Sequence, residues 1–195
     1  MVSIVKEKKM GKLRLSIKLH KVKVPTQAER NKQTAEQSVK NSMKADTNGD
    51  GIISAQELQS SGMQISVFGN TTFVGTQEEI DSFRVSEEFW QAVDPNDNGT
   101  VSLKELANSG LMLNLNANER NIVDTNKDGE LSDQELKAAG LRKMFGAIVL
   151  YDKGKWQKTK DEAAEKQFNI FDTNKDGQLS VEEYQNMFNT LNQNQ

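Results

Sequence analysis

The chain has 195 residues, 35% of them hydrophobic and 27% charged, a composition that suits one compact domain or two small lobes and excludes a disordered chain. A formal net charge of −3 conceals a division: residues 1–24 hold eight Lys/Arg against Glu7, net +7, which leaves −10 on the remainder. There is no cysteine, so disulfides and thiol nucleophiles are excluded, and no apolar run approaches the ~20 residues of a membrane span.

The basic N-terminus lacks the apolar core of a signal peptide, so a cytoplasmic protein is expected, with export by a route that needs no cleaved signal left open. Its first ten residues read as mobile. From Leu13 the pattern alternates, with Leu13, Leu15, Ile17 and Leu19 against Arg14, Ser16 and Lys18, as in a half-buried strand. The alternation slips at His20 and Lys21, resumes at Val22 and Val24, and stops at Pro25. Residues 1–25 thus form a basic strand or arm. It either packs on its own body or adds to the sheet edge of a partner protein or a second copy. Docking of the second kind is the expectation, because the row of apolar residues needs a cover. Nucleic acid is disfavoured, since no aromatics are interleaved to stack bases.

Thr26-x-x-Glu29 is a capping box that opens a helix with Ala35, Val39 and Met43 as its core-facing residues. There follows a run of twelve with oxygen-bearing side chains at Asp46, Asn48, Asp50, Ser54 and Glu57 and a glycine at Gly51. A short helix leaves it and stops at Gly62, and residues 65–68 and 71–74 flank a Gly-Asn turn as a hairpin. A second capping box, Thr76-x-x-Glu79, opens a helix whose Phe89, Trp90 and Val93 precede Asp94, Asn96, Asn98, Gly99, Ser102 and Glu105. The exit again stops, at Gly110. Residues 118–123 lead to Asp124, Asn126, Asp128, Gly129, Ser132 and Glu135, with a stop at Gly140. Residues 148–151, an Asp-Lys-Gly turn and Lys155-Trp156 read as the second hairpin. Thr159-x-x-Glu162 is expected to open the last entering helix, with Ala164, Phe168 and Phe171 facing the core, ahead of Asp172, Asn174, Asp176, Gly177, Ser180 and Glu183. Only here does the exit run on unbroken, through Tyr184, Met187, Phe188 and Leu191.

Hard cations such as Ca2+ take six to eight oxygens at about 2.3–2.6 Å, and oxygens at positions one, three, five, nine and twelve of a tight loop supply them. The sixth-position glycine permits the sharp turn. Four complete sets resemble, residue by residue, the calcium loops of the EF-hand superfamily. The resemblance implies up to four Ca2+, held additionally by the seventh-position backbone carbonyls of Ile52, Thr100, Glu130 and Gln178. It also implies that loops pair, the first with the second and the third with the fourth, through Ile53, Val101, Leu131 and Leu179. The short separation of loops two and three leaves crossed pairing open. The first and third loops start 78 residues apart, as do the second and fourth, which is an internal duplication.

The fold expected is mainly α: two paired EF-hand units, residues 26–110 and 111–195, with small β-hairpin insertions and the N-terminal arm. Glycine-ended exits look more like bacterial EF-hand proteins than like calmodulin. The one histidine, His20, offers no catalytic constellation, so the chain reads as a calcium-stabilised interaction or structural module and not an enzyme. A sensor or buffer that regulates a partner is the alternative. Loop two, with Asn98 in place of a carboxylate and Pro95 at its second position, is expected to be the weakest site.

Overall fold

The computed structural model describes the backbone of residues 3–9, 12–18, 21–69 and 71–193, and the side chains of 21–69 and 71–190. Leu19 and His20 lie outside the described residues, as does the side chain of Leu191. By its internal contacts the chain divides into unit 1, Met1–Met112 with Phe145–Ala147, and unit 2, Leu113–Met144 with Ile148–Gln195. Among the described residues no helix is long and apolar enough to cross a membrane.

Unit 1 begins with β1 (Ser3–Lys9) and β2 (Lys12–Lys18), an antiparallel pair in which Ile4, Lys6 and Lys8 stand opposite Ile17, Leu15 and Leu13. One expectation is corrected here, since residues 3–9 are strand; the alternating segment has them as its strand partner within the arm. The next strand, β3 (Val22–Lys23), pairs with β6 (Thr100–Val101) inside the second loop.

Helix α1 (Gln27–Ala45) starts at Thr26 with both bonds of the capping box formed. Its buried stripe is polar: Arg30, Thr34, Ser38 and Asn41, ending at Ala45. The Val74 N–H donates to Ser38 Oγ (3.0 Å), and Asn41 Nδ2 donates to Val74 O (2.8 Å) and Glu79 Oε2 (3.0 Å). This overturns the assignment of Ala35, Val39 and Met43 to the core, since all three are exposed. The helix buries the face that satisfies backbone groups of the adjacent strand, and leaves its sparse apolar face outside.

After α2 (Ala55–Ser61), closed by left-handed Gly62, come β4 (Gln64–Phe68) and β5 (Thr71–Gly75), paired as the sequence implies. Helix α3 (Gln77–Val93) takes its capping box from Thr76 and buries Ile80, Phe89 and Val93. Phe83 bridges the hairpin, edge-on to Phe68 at 4.8 Å and stacked on Phe73 at 5.9 Å. Helix α4 (Leu103–Asn108) buries Leu106 and completes the unit.

In unit 2, α5 (Ala117–Val123) and α6 (Asp133–Ala138) flank loop three. Strands β7 (Met112–Leu113), β8 (Leu141–Met144) and β9 (Ala147–Leu150), which belong to this unit apart from Met112 and Ala147, form a sheet in the order β7–β9–β8. The second hairpin is therefore 141–144 with 147–150, turning at Phe145 and Gly146, and not the expected 148–151 with 155–156. Asp152 is instead the N-cap of α7 (Lys153–Phe171), its carboxylate accepting the Lys155 N–H. Lys155 and Trp156 belong to the first turn of that helix, and Thr159, expected to start it, lies inside with Oγ1 donating to Lys155 O. Trp156 is buried with Leu115, Val123, Leu136, Ala139 and Leu141. Ala164 is exposed, while Phe168 and Phe171 are half-buried. Gly140 is required where α6 gives way to β8: φ is +79°, and a Cβ would lie 2.6 Å from Asp152 O. The chain ends in α8 (Val181–Gln193), the one long exit helix.

Candidate metal centres

Each loop is wired by the same short hydrogen bonds, which follow from oxygen-bearing side chains at alternate positions. The first-position aspartate accepts the sixth-position glycine N–H through Oδ2: Asp46 from Gly51 (2.9 Å), Asp94 from Gly99 (3.0 Å), Asp124 from Gly129 (2.9 Å) and Asp172 from Gly177 (3.0 Å). The third-position Oδ1 of Asn48, Asn96, Asn126 and Asn174 accepts the fifth-position N–H at 2.9–3.1 Å. Asp50, Asn98, Asp128 and Asp176 in turn accept the N–H of Ile52, Thr100, Glu130 and Gln178 at 2.8–2.9 Å. Such side-chain-to-backbone turns bend the chain around its own oxygens. The sharp turn also needs a left-handed residue at position four, filled by Gly49, Asp97, Lys127 and Lys175.

The closing glutamates are held in capping boxes by Ser54, Ser102, Ser132 and Ser180, whose N–H groups donate to Glu57, Glu105, Glu135 and Glu183 at 2.8–3.0 Å. In loops one, three and four the other carboxylate oxygen accepts the N–H and hydroxyl of the second-position threonine, Thr47, Thr125 or Thr173. The hydrogen bonds from Ser54 hold the Glu57 carboxyl down to about 2, those from Ser132 do the same for Glu135, and those from Ser180 and Thr173 for Glu183. Glu105 is lowered too, first by Ser102. All four are ionised at neutral pH. Among the described residues, no three or more His, Cys, Asp or Glu side chains converge on one point: in loops one, three and four the glutamates accept from positions two and nine and from the third-position N–H, while the side chains of positions one, three and five bond other backbone groups of the loop.

The residues of loop three nevertheless fit a cation. Asp124 is buried, and its Oδ1 has no hydrogen-bond partner. In the other loops the matching oxygen accepts the fifth-position N–H at 3.2 Å. A buried anionic oxygen without a donor is costly unless a positive charge meets it.

Loop two differs. Pro95 has no N–H, so Glu105 Oε1 accepts from Asn96 Nδ2 instead. Val101, expected to pair with another loop, pairs with Val22, and among the described residues no strand joins any two loops. The expectation of loops joined through Ile53, Val101, Leu131 and Leu179 is thus not met: Val101 is engaged by β3, and Ile53, Leu131 and Leu179 lie in no strand. Sequence reasoning also passed over the threonines, although Asp-Thr-Asn opens three of the four loops. It had no signal for β3 against β6, a pairing across more than 70 residues.

A family model described as an EF-hand domain pair matches residues 121–189, spanning loops three and four. A second, described as an EF hand, matches residues 43–63, spanning loop one. Loop two lies outside both stretches. No curated protein and no solved structure matches the chain.

Proposed function

We propose that the chain binds Ca2+ in all four loops and serves as a calcium-stabilised interaction or structural module. The observation that carries this reading is one set of oxygen-bearing side chains, bound to the backbone in one pattern, repeated four times. The two EF-hand matches support calcium binding, and the partnerless Asp124 Oδ1 supports a cation in loop three. The residues that would hold the ions are Asp46, Asn48, Asp50, Ser54 and Glu57; Asp94, Asn96, Asn98, Ser102 and Glu105; Asp124, Asn126, Asp128, Ser132 and Glu135; and Asp172, Asn174, Asp176, Ser180 and Glu183. The backbone carbonyls of Ile52, Thr100, Glu130 and Gln178 complete the sets. A bound Ca2+ supplies the positive charge that offsets repulsion among two or three carboxylates per loop. The role of the protein is to arrange them, and binding to the folded state then adds stability by mass action.

The basic hairpin β1–β2 suits an acidic protein partner or the acidic body of a second copy, in a salt-dependent way. A sensor is the second reading, favoured by α8: Val181, Tyr184 and Phe188 are 79%, 55% and 57% exposed on one face. Calorimetry on the full chain tests the first reading, with four sites expected, loop two the weakest, and fewer than three sites overturning it. A large calcium-dependent rise in hydrophobic-dye binding to an already folded apo protein selects the sensor instead.

A further inference from the structure

We propose that residues 22–30 hold the place beside loop two that another metal loop would take, and that metal binding in loop two and docking of this segment strengthen one another, with Arg30 as the positioning residue. The proposal rests on the reading of loop two as a Ca2+ site.

The contacts are continuous. Val22 and Lys23 pair antiparallel with Val101 and Thr100, so the edge of loop two is covered by the chain's own entry into α1. The Val24 N–H donates to Gly99 O at 2.9 Å. The approach is close: a Cβ on Gly99 would lie 3.0 Å from Thr26 Cγ2 and 3.4 Å from Val24 O. At the start of α1, the Gln27 N–H donates to Asp97 Oδ1 at 2.6 Å. Arg30 lies beneath, 7% exposed. Its Nε donates to Glu87 Oε1 of α3 (2.8 Å), Nη1 to Pro25 O (2.7 Å) and Nη2 to Gln27 Oε1 (2.7 Å), with Nη1 3.9 Å from Asp97 Oδ1. One guanidinium therefore ties α1, α3, the segment between β3 and α1, and loop two. Among the described residues, no strand pairs with loops one, three or four.

This placement has a physical consequence. The seventh-position carbonyl, Thr100, belongs to the strand that β3 pairs with, so its setting is fixed by residues outside the loop. An oxygen held in place beforehand loses less freedom on binding, which helps the loop with the fewest carboxylates at ligand positions. Linkage makes the effect mutual: if β3 improves metal binding by some factor, metal improves β3 docking by the same factor. The basic hairpin, which precedes β3 directly in the chain, is thereby anchored at the loop that responds.

The test uses the 15N-labelled full-length protein with chelator and with saturating Ca2+, following the Gly99 amide shift and exchange of the Val24 amide. Calcium is expected to move Gly99 and to slow Val24 exchange about fivefold or more, the lower end of usual couplings, in the unaltered chain and in Glu57→Gln, but not in Glu105→Gln. Arg30→Met is expected to weaken loop two about fivefold while the other sites change less than about twofold. Should that variant fail to fold, Asp97→Gly removes the acceptor of the Gln27 N–H and suits the left-handed backbone there. A Gly99 amide indifferent to calcium removes loop two as a site, and the coupling with it. A responsive Gly99 with unchanged Val24 exchange overturns the coupling alone, as does slowing that persists in Glu105→Gln.

Discussion

In loops one, three and four the closing glutamate leans on a threonine at position two, and among the described residues no strand joins the loop to another segment. In loop two Pro95 takes that position, Asn96 takes over the bond to Glu105, and the loop is tied to residues 22–30 through its backbone. One ligand pattern is thus supported in two ways, from within the loop by side chains or from outside it by another segment. Carboxylate number and backbone restraint are separate contributions to a metal loop, and here they run in opposite directions. Loop two has the fewest carboxylates at ligand positions and, among the described residues, is the loop with a strand paired to it.

The largest expected effect separates the two kinds of loop by metal. With free Ca2+ about 100-fold above a site's Kd, each filled site adds about 2.7 kcal/mol to stability. Urea melts with calcium and with chelator should therefore differ by several kcal/mol. On the proposed reading Glu57→Gln, Glu135→Gln and Glu183→Gln should each remove most of one such share, and Glu105→Gln less, because loop two offers one ligand carboxylate fewer. Equal losses for Glu105→Gln and Glu135→Gln would break the ranking.

Acid sharpens the comparison in the chelated protein. Glu57, Glu135 and Glu183 are lowered in the folded chain from 4.5 to about 2. A lowered carboxyl contributes stability that is complete above its unfolded value and is lost as pH falls through its folded value. Stability should decline from about pH 4.5 towards pH 2, and the Gln variants of these three residues should flatten that decline. Urea midpoints across this range, in chelator, measure it; a steeper decline in the variants contradicts the assigned bonds.

What the sequence made legible follows from how local each cause is. A metal loop demands residue types at fixed spacing, so the pattern could be read directly, and the EF-hand matches fall on three of its four occurrences; the Thr26 and Thr76 capping boxes and the hairpin around Gly69 were equally legible. Motifs that serve more than one purpose misled. Asp152-Lys-Gly resembles a turn, yet Asp152 caps α7, and Thr159-x-x-Glu162 looks like a helix start although Thr159 bonds back to Lys155 O within the helix. The 78-residue repeat already carried the correction, since it places the counterpart of residues 65–68 at 143–146, close to β8. Helix α1 escaped for a different reason. Its buried face is Arg30, Thr34, Ser38 and Asn41, which hydrophobic periodicity does not register. Val22 and Val101 each read as pairing residues, but nothing local marks the two-residue strands β3 and β6, more than 70 residues apart, as partners.

A smaller effect comes from the threonines. Thr173→Val keeps the N–H that Glu183 accepts but removes the hydroxyl, which donates at 2.7 Å. Losing one hydrogen bond to the Glu183 carboxylate, which is 6% exposed, should lower the urea midpoint of the chelated protein. The same change at Thr47 or Thr125 should behave alike. Loop two has no counterpart to lose.

The smallest effect, and the one that tests the comparison most directly, is Asn98→Asp. It gives loop two the carboxylate that its counterparts carry at position five. Asn98 Oδ1 already accepts the N–H and hydroxyl of Thr100, and an aspartate can keep both bonds. With metal, the added charge should raise affinity by about fivefold, or about 1 kcal/mol, the size of one more charge interaction in a largely solvated loop. Without metal it places a second anion near Asp94, which is buried, so the chelated protein should become slightly less stable. The two changes have opposite signs, and calorimetry together with chelated melts reads both. If carboxylate number alone separates loop two from the rest, the variant should match the affinity of loops one, three and four. If backbone restraint also contributes, it should overtake them, because it would then combine their charge with a frame they lack.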